Sequence, residues 1–163
     1  MRPFIPGPET ARDFRDALGR FATGVTVITT KTPEGPLGIT ANSFASVSLD
    51  PPLVLWSPAR ASRRFAAFEA AESYAIHVLA SDQASVCGGF VKDGAAFDLL
   101  DWAEGENGTP LINGCLARFE CTRHAVHDGG DHAIIVGHVH RASIGDGDPL
   151  LFAKGAYGQF VQS

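Results

Sequence analysis

The chain lacks the features that would place it in several large classes of protein. It has no basic block, and its formal net charge is −5, so it carries no electrostatic footprint for nucleic acid. No apolar run is long enough to span a bilayer, and the first ten residues, with three prolines and two charges, contain no signal-type core. These absences predict a soluble, cytoplasmic protein with neither a membrane nor a nucleic-acid partner. The three cysteines, Cys87, Cys115 and Cys121, are odd in number and lack CxxC spacing, which reads as small buried hydrophobes in a reducing compartment. No GxGxxG or GxxxxGK[ST] run is present, which counts against a Rossmann or P-loop nucleotide site. GxSxG is missing as well, and no Cys/His arrangement marks a nucleophile. His138 and His140 share a strand face, but nothing supplies zinc-type ligand spacing, so no metal is expected.

What the chain does have is turns and alternation. Its 163 residues suffice for one domain, taken as 1–163, and include 18 glycines and 10 prolines. The spacing of Ala11, Phe14, Leu18 and Phe21 predicts a helix from about 10 to 22, capped by Thr10 with Asp13. Alternation predicts strands over the Gly24–Lys31 run, over Leu37–Asp50 after a turn at 32–36, and over the apolar run after Pro51-Pro52. Ser62 is positioned to cap a second helix carrying Phe65, Phe68 and Ala71. Tyr74, Ile76 and Val78 mark a further strand, and Asp82 a cap for a short third helix through Val86 to Phe90. The stretch 92–114 reads as a long surface loop. Two extended segments, about 115–126 and 132–144, flank an Asp-Gly hairpin signal, and an apolar, turn-punctuated tail follows. Six or so strands and three short helices that do not alternate as βαβ units predict a mainly β, antiparallel barrel with peripheral helices.

Three polar clusters stand out. Thr40, Ala41, Asn42 and Ser43 gather hydroxyl, amide and backbone groups at a strand end, suited to the donor–acceptor edge of a flavin or equally to an ordinary polar strand. Ser57, Ala59, Ser62 and Arg63 lie within a Ser/Arg-rich run entering a helix, which fits a phosphate or a solvated first turn. Asp131-His132 opens a strand, where the imidazole either meets a nicotinamide cofactor or closes a turn. The lack of an acid–base pair is compatible with hydride transfer, which depends on stacking and distance more than on a protein proton donor.

The runs Arg20–Thr30 and Gly38–Leu55, followed by Gly130-Asp131-His132, Val136–Val139, Pro149–Phe152 and Gly155–Gly158, resemble the short-chain flavin reductases. These are reductase components of two-component flavin monooxygenases, with an FMN-binding split barrel. The resemblance spans about residues 12–160. It implies a homodimer that binds FMN ahead of FAD, takes a hydride from NADH or NADPH and supplies reduced flavin to a separate oxygenase. It further implies that Thr40, Ala41, Asn42 and Ser43 meet the isoalloxazine edge, and that Ser57, Ala59, Ser62 and Arg63 hold the phosphate. Phe90 would flank the flavin, while His132, Gly155, Tyr157 and Gly158 would meet the nicotinamide cofactor. Two other readings share the barrel: a non-catalytic flavin- or haem-binding protein, and a relative of pyridoxamine-phosphate oxidase.

Overall fold

The computed structural model describes residues 1–98 and 100–161. In chain order its strands are β1 (Thr23–Gly24), β2 (Thr26–Thr32), β3 (Gly35–Ala41), β4 (Ala45–Leu49), β5 (Pro52–Trp56), β6 (Ser73–Val78), β7 (Trp102–Glu104), β8 (Pro110–Ile112), β9 (Ala117–Gly129), β10 (His132–Ile144), β11 (Leu150–Ala153) and β12 (Ala156–Gln159). Its α-helices are α1 (Ala11–Leu18), α2 (Phe65–Ala70) and α3 (Ala84–Lys92). Seven strands form one antiparallel sheet in the order β3-β2-β6-β9-β10-β5-β4. Its two outer strands, β3 and β4, are consecutive in the chain and separated only by residues 42–44. So short a link spans roughly 10 Å at full extension, so the sheet must curl until its edges approach. That curl is the split barrel, and its interior holds Ile28, Trp56, Phe68, Tyr74, Ile76 and Ile135.

A second core lies outside the curled sheet. Val27, Leu79, Cys87, Phe90, Phe97, Ile112 and Leu150 pack together there, so β2 and β6 are covered on both faces. This explains why Thr26–Thr30 and Tyr74–His77 are buried without a break. Phe90 meets Phe97 edge-on at 4.9 Å, and Phe97 meets Trp102 at 5.2 Å. The ring of Phe90 also fills the space over Gly38, where a Cβ would come within 2.4 Å of it. Among the described residues, no helix is long and apolar enough to cross a membrane.

The long hairpin forms, but Asp128-Gly129 ends β9 and pairs with β10, so the turn itself is Gly130-Asp131. Gly130 has φ +75 and Asp131 does not share the left-handed conformation, the arrangement that puts glycine first in a II′ turn. The first helix is shorter than its spacing predicts: α1 stops at Leu18, and Phe14, Leu18 and Phe21 remain 43%, 58% and 80% exposed. Thr10 does not cap it, because its hydroxyl donates back to the Ile5 carbonyl at 2.8 Å. Ser62 does not cap α2 either. It accepts the Arg64 N–H at 3.2 Å in a turn that precedes the helix. Asp82 sits within a short 3-10 turn (Ser81–Gln83), and Gln83 Oε1 accepts the Ala80 N–H at 3.1 Å. The stretch 92–114 is not a surface loop. It folds into the β7–β8 hairpin and delivers Phe97, Leu111 and Ile112 to buried positions. All three cysteines are free; Cys87 and Cys121 are buried and Cys115 is half-buried.

Candidate functional site

The site starts at the outer edge of β3. As a terminal strand it pairs only with β2, so alternate backbone groups along Gly38–Ala41 point away from the sheet. The Thr40 hydroxyl donates to the Cys87 carbonyl at 2.9 Å, which ties β3 to α3. Asn42 is exposed, and its amide has no side-chain hydrogen bond among the described residues. Ser43 accepts the Ser57 N–H at 2.9 Å and donates to the Ser57 carbonyl at 3.2 Å. One hydroxyl therefore staples the β3–β4 link to the end of β5, and the first two polar clusters become neighbours.

The third cluster joins the second through backbone. Ala59 bridges His132, the Ala133 N–H donates to the Pro58 carbonyl at 3.1 Å, and the Arg60 N–H donates to the Asp131 carbonyl at 2.9 Å. The three arginines of this segment have separate fates. Arg60 turns to the hairpin, pairing with Asp128 at 2.9 Å and donating to the Gly130 carbonyl at 3.1 Å. Arg64 turns inward and donates to the carbonyls of Gly38, at 3.2 Å, and Phe90. Arg63 is exposed and forms no ion pair or side-chain hydrogen bond among the described residues. It is the uncommitted cation beside Ser57, Ala59 and Ser62. Because α2 has only six residues, side chains and loop N–H groups, rather than a helix dipole, must supply any anion affinity here.

His132 is half-exposed, with Nδ1 2.8 Å from Asp131 Oδ1. Its imidazole holds the Asp131 carboxyl below the usual carboxylate range. With Nδ1–H donated to Asp131, Nε2 is left as the outward-facing nitrogen. On the other side of the rim, Tyr157 and Phe152 close a cavity of about 130 Å³ with Val25, Thr40, Ala41 and Asn42. The Tyr157 hydroxyl accepts the Cys87 thiol at 3.2 Å, and this contact, followed by burial, raises its pKa above the ordinary value. Gly155 sits in the β11–β12 turn and lines a separate cavity, and Gly158 lies on exposed β12.

The structure thus brings Thr40, Ala41 and Asn42 to Tyr157, and Ser43 through Ser57 and Ala59 to His132. No hydrogen bond or strand pairing connects His132 to Gly155–Gly158 among the described residues. Phe90 is fully buried, with its ring against Gly38 and its carbonyl accepting from Arg64, so it packs beneath β3. Sequence reasoning missed Arg64, Cys87 and Phe152. In sequence nothing separates Arg64 from Arg60 and Arg63, because its role depends on carbonyls supplied by β3 and α3.

The donor set fits a flavin: an unladdered strand edge with an exposed amide for a ring edge, and hydroxyls with a free guanidinium for a phosphate. The model of the flavin reductase like domain matches residues 18–160. The FMN reductase (NADH) SmoA of Agrobacterium fabrum is 61% identical over 96% of this chain and 90% of its own length. HsaB, the reductase subunit of a flavin-dependent monooxygenase in Rhodococcus jostii, is 45% identical over 90% of this chain and 76% of its own. Among solved structures, the NADH:FAD oxidoreductase SgcE6 of Streptomyces globisporus superposes with a TM-score of 0.91 at 36% identity, covering 99% of each chain. With its sequence, its curled sheet and its rim of donors in agreement, the chain belongs to the flavin reductase like domain family.

Proposed function

We propose that this protein is an NADH-dependent flavin reductase that reduces FMN, and FAD after it, for use by a separate flavin-dependent oxygenase. The observation that carries this reading is the Ser43–Ser57 staple followed by the Ala59–His132 bridge, which joins three sequence-distant clusters into one rim. The names of the relatives, an FMN reductase using NADH and a monooxygenase reductase subunit, agree with it.

The flavin, when bound, supplies the hydride acceptor. The chain's own residues bind and orient. Thr40, Ala41 and Asn42 present the edge of β3, where the Asn42 amide can match either a donor or an acceptor on the ring. Ser43 fixes the β5 end, so that Ser57, Ala59 and Ser62 offer N–H and hydroxyl groups to the phosphate, with Arg63 supplying its charge. Phe90 and Arg64 hold β3 from beneath. His132, oriented by Asp131, turns Nε2 toward the nicotinamide donor, and Tyr157 and Gly158 bound the donor's side of the small cavity. The arrangement places reactants and needs no protein acid or base.

A homodimer completes this reading. Leu18, Leu49, Ile144 and Val161 are 58%, 96%, 93% and 84% exposed, more bare apolar surface than an isolated chain has use for, and β12 is open along its whole length. Sedimentation should give twice the 17.2 kDa chain mass. The protein is assigned to the cytoplasm, where its free thiols and its NADH donor are both at home.

The test is NADH oxidation in air with purified protein and added FMN, FAD or riboflavin. The proposal expects saturable, flavin-dependent oxidation, with FMN the best acceptor. Tight flavin binding without NADH oxidation would mark a binding protein instead.

A further inference from the structure

The outer edge of β3 is closed at one residue and open two residues further on. The Gly38 N–H donates to the Gly94 carbonyl at 2.8 Å, and the Gly38 carbonyl accepts Arg64 Nη1–H at 3.2 Å. Gly38 therefore turns both of its backbone groups away from β2. Along a strand this direction alternates, and the β2–β3 pairing runs without a register shift from Thr29–Gly38 to Val27–Thr40. Thr40 must then turn its own N–H and C=O outward as well. Neither meets a protein partner among the described residues.

The closure at Gly38 depends on one side chain. Arg64 Nη1 sits between the Gly38 carbonyl on β3 and the Phe90 carbonyl in the last turn of α3. The guanidinium is half-buried and forms no ion pair among the described residues. Two carbonyls at a rim have an ordinary partner in water, and an ordered arginine is a costly substitute because it loses rotamer freedom. A single nitrogen shared by both does what water does not: it fixes the separation of β3 and α3. The surroundings leave room for it. A Cβ at Gly94 would come within 2.7 Å of Leu37 and 3.0 Å of Arg64 Nε. The main chain of Arg64 belongs to the Ser/Arg-rich segment, where its N–H donates to the Ser62 hydroxyl at 3.2 Å. One residue thus joins the segment carrying Ser57, Ala59, Ser62 and Arg63 to the edge of β3.

We propose that Arg64 is a positioning residue for the flavin ring. By holding Gly38 against α3, it keeps the outward N–H and C=O of Thr40 in line for the ring edge, while its neighbour Arg63 serves the phosphate. The inference rests on the reductase reading of the rim and assigns it a residue that touches no ligand. Two adjacent arginines then carry separable signatures. Loss of Arg63 is felt by the phosphate alone, and loss of Arg64 by the ring, whatever the ring carries.

The test uses three variants. Arg64→Met keeps the apolar stem and removes every donor, Arg64→Lys restores a cation that donates, and Gly94→Ala leaves Arg64 in place but crowds its guanidinium. FMN and riboflavin are titrated into each protein well below its melting temperature, and the visible spectrum of the bound flavin is recorded. Arg64→Met and Gly94→Ala should each weaken both flavins about tenfold, with the FMN-to-riboflavin ratio held within about twofold. The bound-flavin spectrum should move toward that of the free flavin, and Arg64→Lys should recover most of the loss. Lower melting temperatures with both dissociation constants unchanged would overturn the proposal and leave Arg64 a purely structural residue. A loss confined to FMN would overturn it as well, by moving Arg64 to the phosphate. A wild type that binds neither flavin would overturn the reductase reading itself, before any variant is compared.

Discussion

The inner strands β2 and β6 and the rim around β3, β5 and the hairpin turn use polar groups in opposite ways. In the inner strands most buried polar side chains are spent on the fold, although the buried Tyr74 hydroxyl has no partner among the described residues. Thr29 donates to the Pro110 carbonyl, Thr30 donates to the Ser73 carbonyl at 2.8 Å, and His77 lies between the Val27 carbonyl at 3.0 Å and the Ile112 N–H at 3.1 Å. On the rim the polar groups divide. Thr40, Ser43 and Arg64 are spent on carbonyls and N–H groups, while Asn42, Arg63 and His132 Nε2 are left facing out. The difference separates groups that build the site from groups that can serve a ligand, and residue type alone does not reveal it. Two serines and three arginines of one segment fall on both sides of the division.

The largest effects should come from the inner strands. Replacing His77 with Ala removes a fully buried side chain and leaves the Ile112 N–H without its acceptor. The expected loss is about 3 kcal/mol of stability, read by urea unfolding, from the cavity and the orphaned donor together. A loss under about 1 kcal/mol would show that the two-faced burial of β6 matters less than its position implies. The same residue sets a pH window. Burial lowers the His77 pKa from 6.5 to about 4. The folded imidazole therefore stays neutral where the unfolded one takes a proton. Stability is at full value above pH 6.5 and declines as pH falls toward 4, by about 3 kcal/mol from this group. Unfolding curves across that window should show the decline in the wild type and a shallower one in His77→Ala. Equal slopes would assign the effect to other groups.

The inner strands were only half legible in the sequence. Alternation located β2 and β6, but alternation implies one wet face, and both faces here are dry. The second covering layer comes from 92–114, whose glycines and aspartates read as a loop although Phe97, Leu111 and Ile112 carry a core. The first helix failed in the other direction. Its apolar spacing is real, but no layer among the described residues fully covers Phe14 and Leu18, so the spacing does not mark a core-facing helix here. Of the rim, Thr40–Ser43, Ser57–Arg63 and His132 could be read as clusters from composition and family resemblance. Their adjacency could not, because it depends on the curl that brings β3 to β4 and on the Ala59–His132 bridge. The burial of Phe90 against Gly38 was illegible for the same reason, since a phenylalanine ending a helix gives no sign of which side of a strand it will occupy.

Smaller effects belong to the rim and sharpen the division between spent and free groups. Arg63→Ala removes a free cation and should weaken FMN about tenfold while riboflavin, which lacks the phosphate, barely changes. The melting temperature should move little, because Arg63 is exposed and makes no ion pair or side-chain hydrogen bond among the described residues. Equal losses for the two flavins would move the phosphate elsewhere.

The central claim, that the rim joins a flavin to a nicotinamide donor, is tested most directly at His132, the free group farthest in sequence from Thr40–Ser43. Anaerobic stopped-flow reduction of FMN by NADH should be about tenfold slower, or need about tenfold more NADH, in His132→Ala, the loss of one hydrogen bond of roughly 1.4 kcal/mol. The FMN dissociation constant should stay within about twofold. Unaltered reduction kinetics in a variant that simply melts earlier would contradict the account and leave His132 as a residue that closes a hairpin.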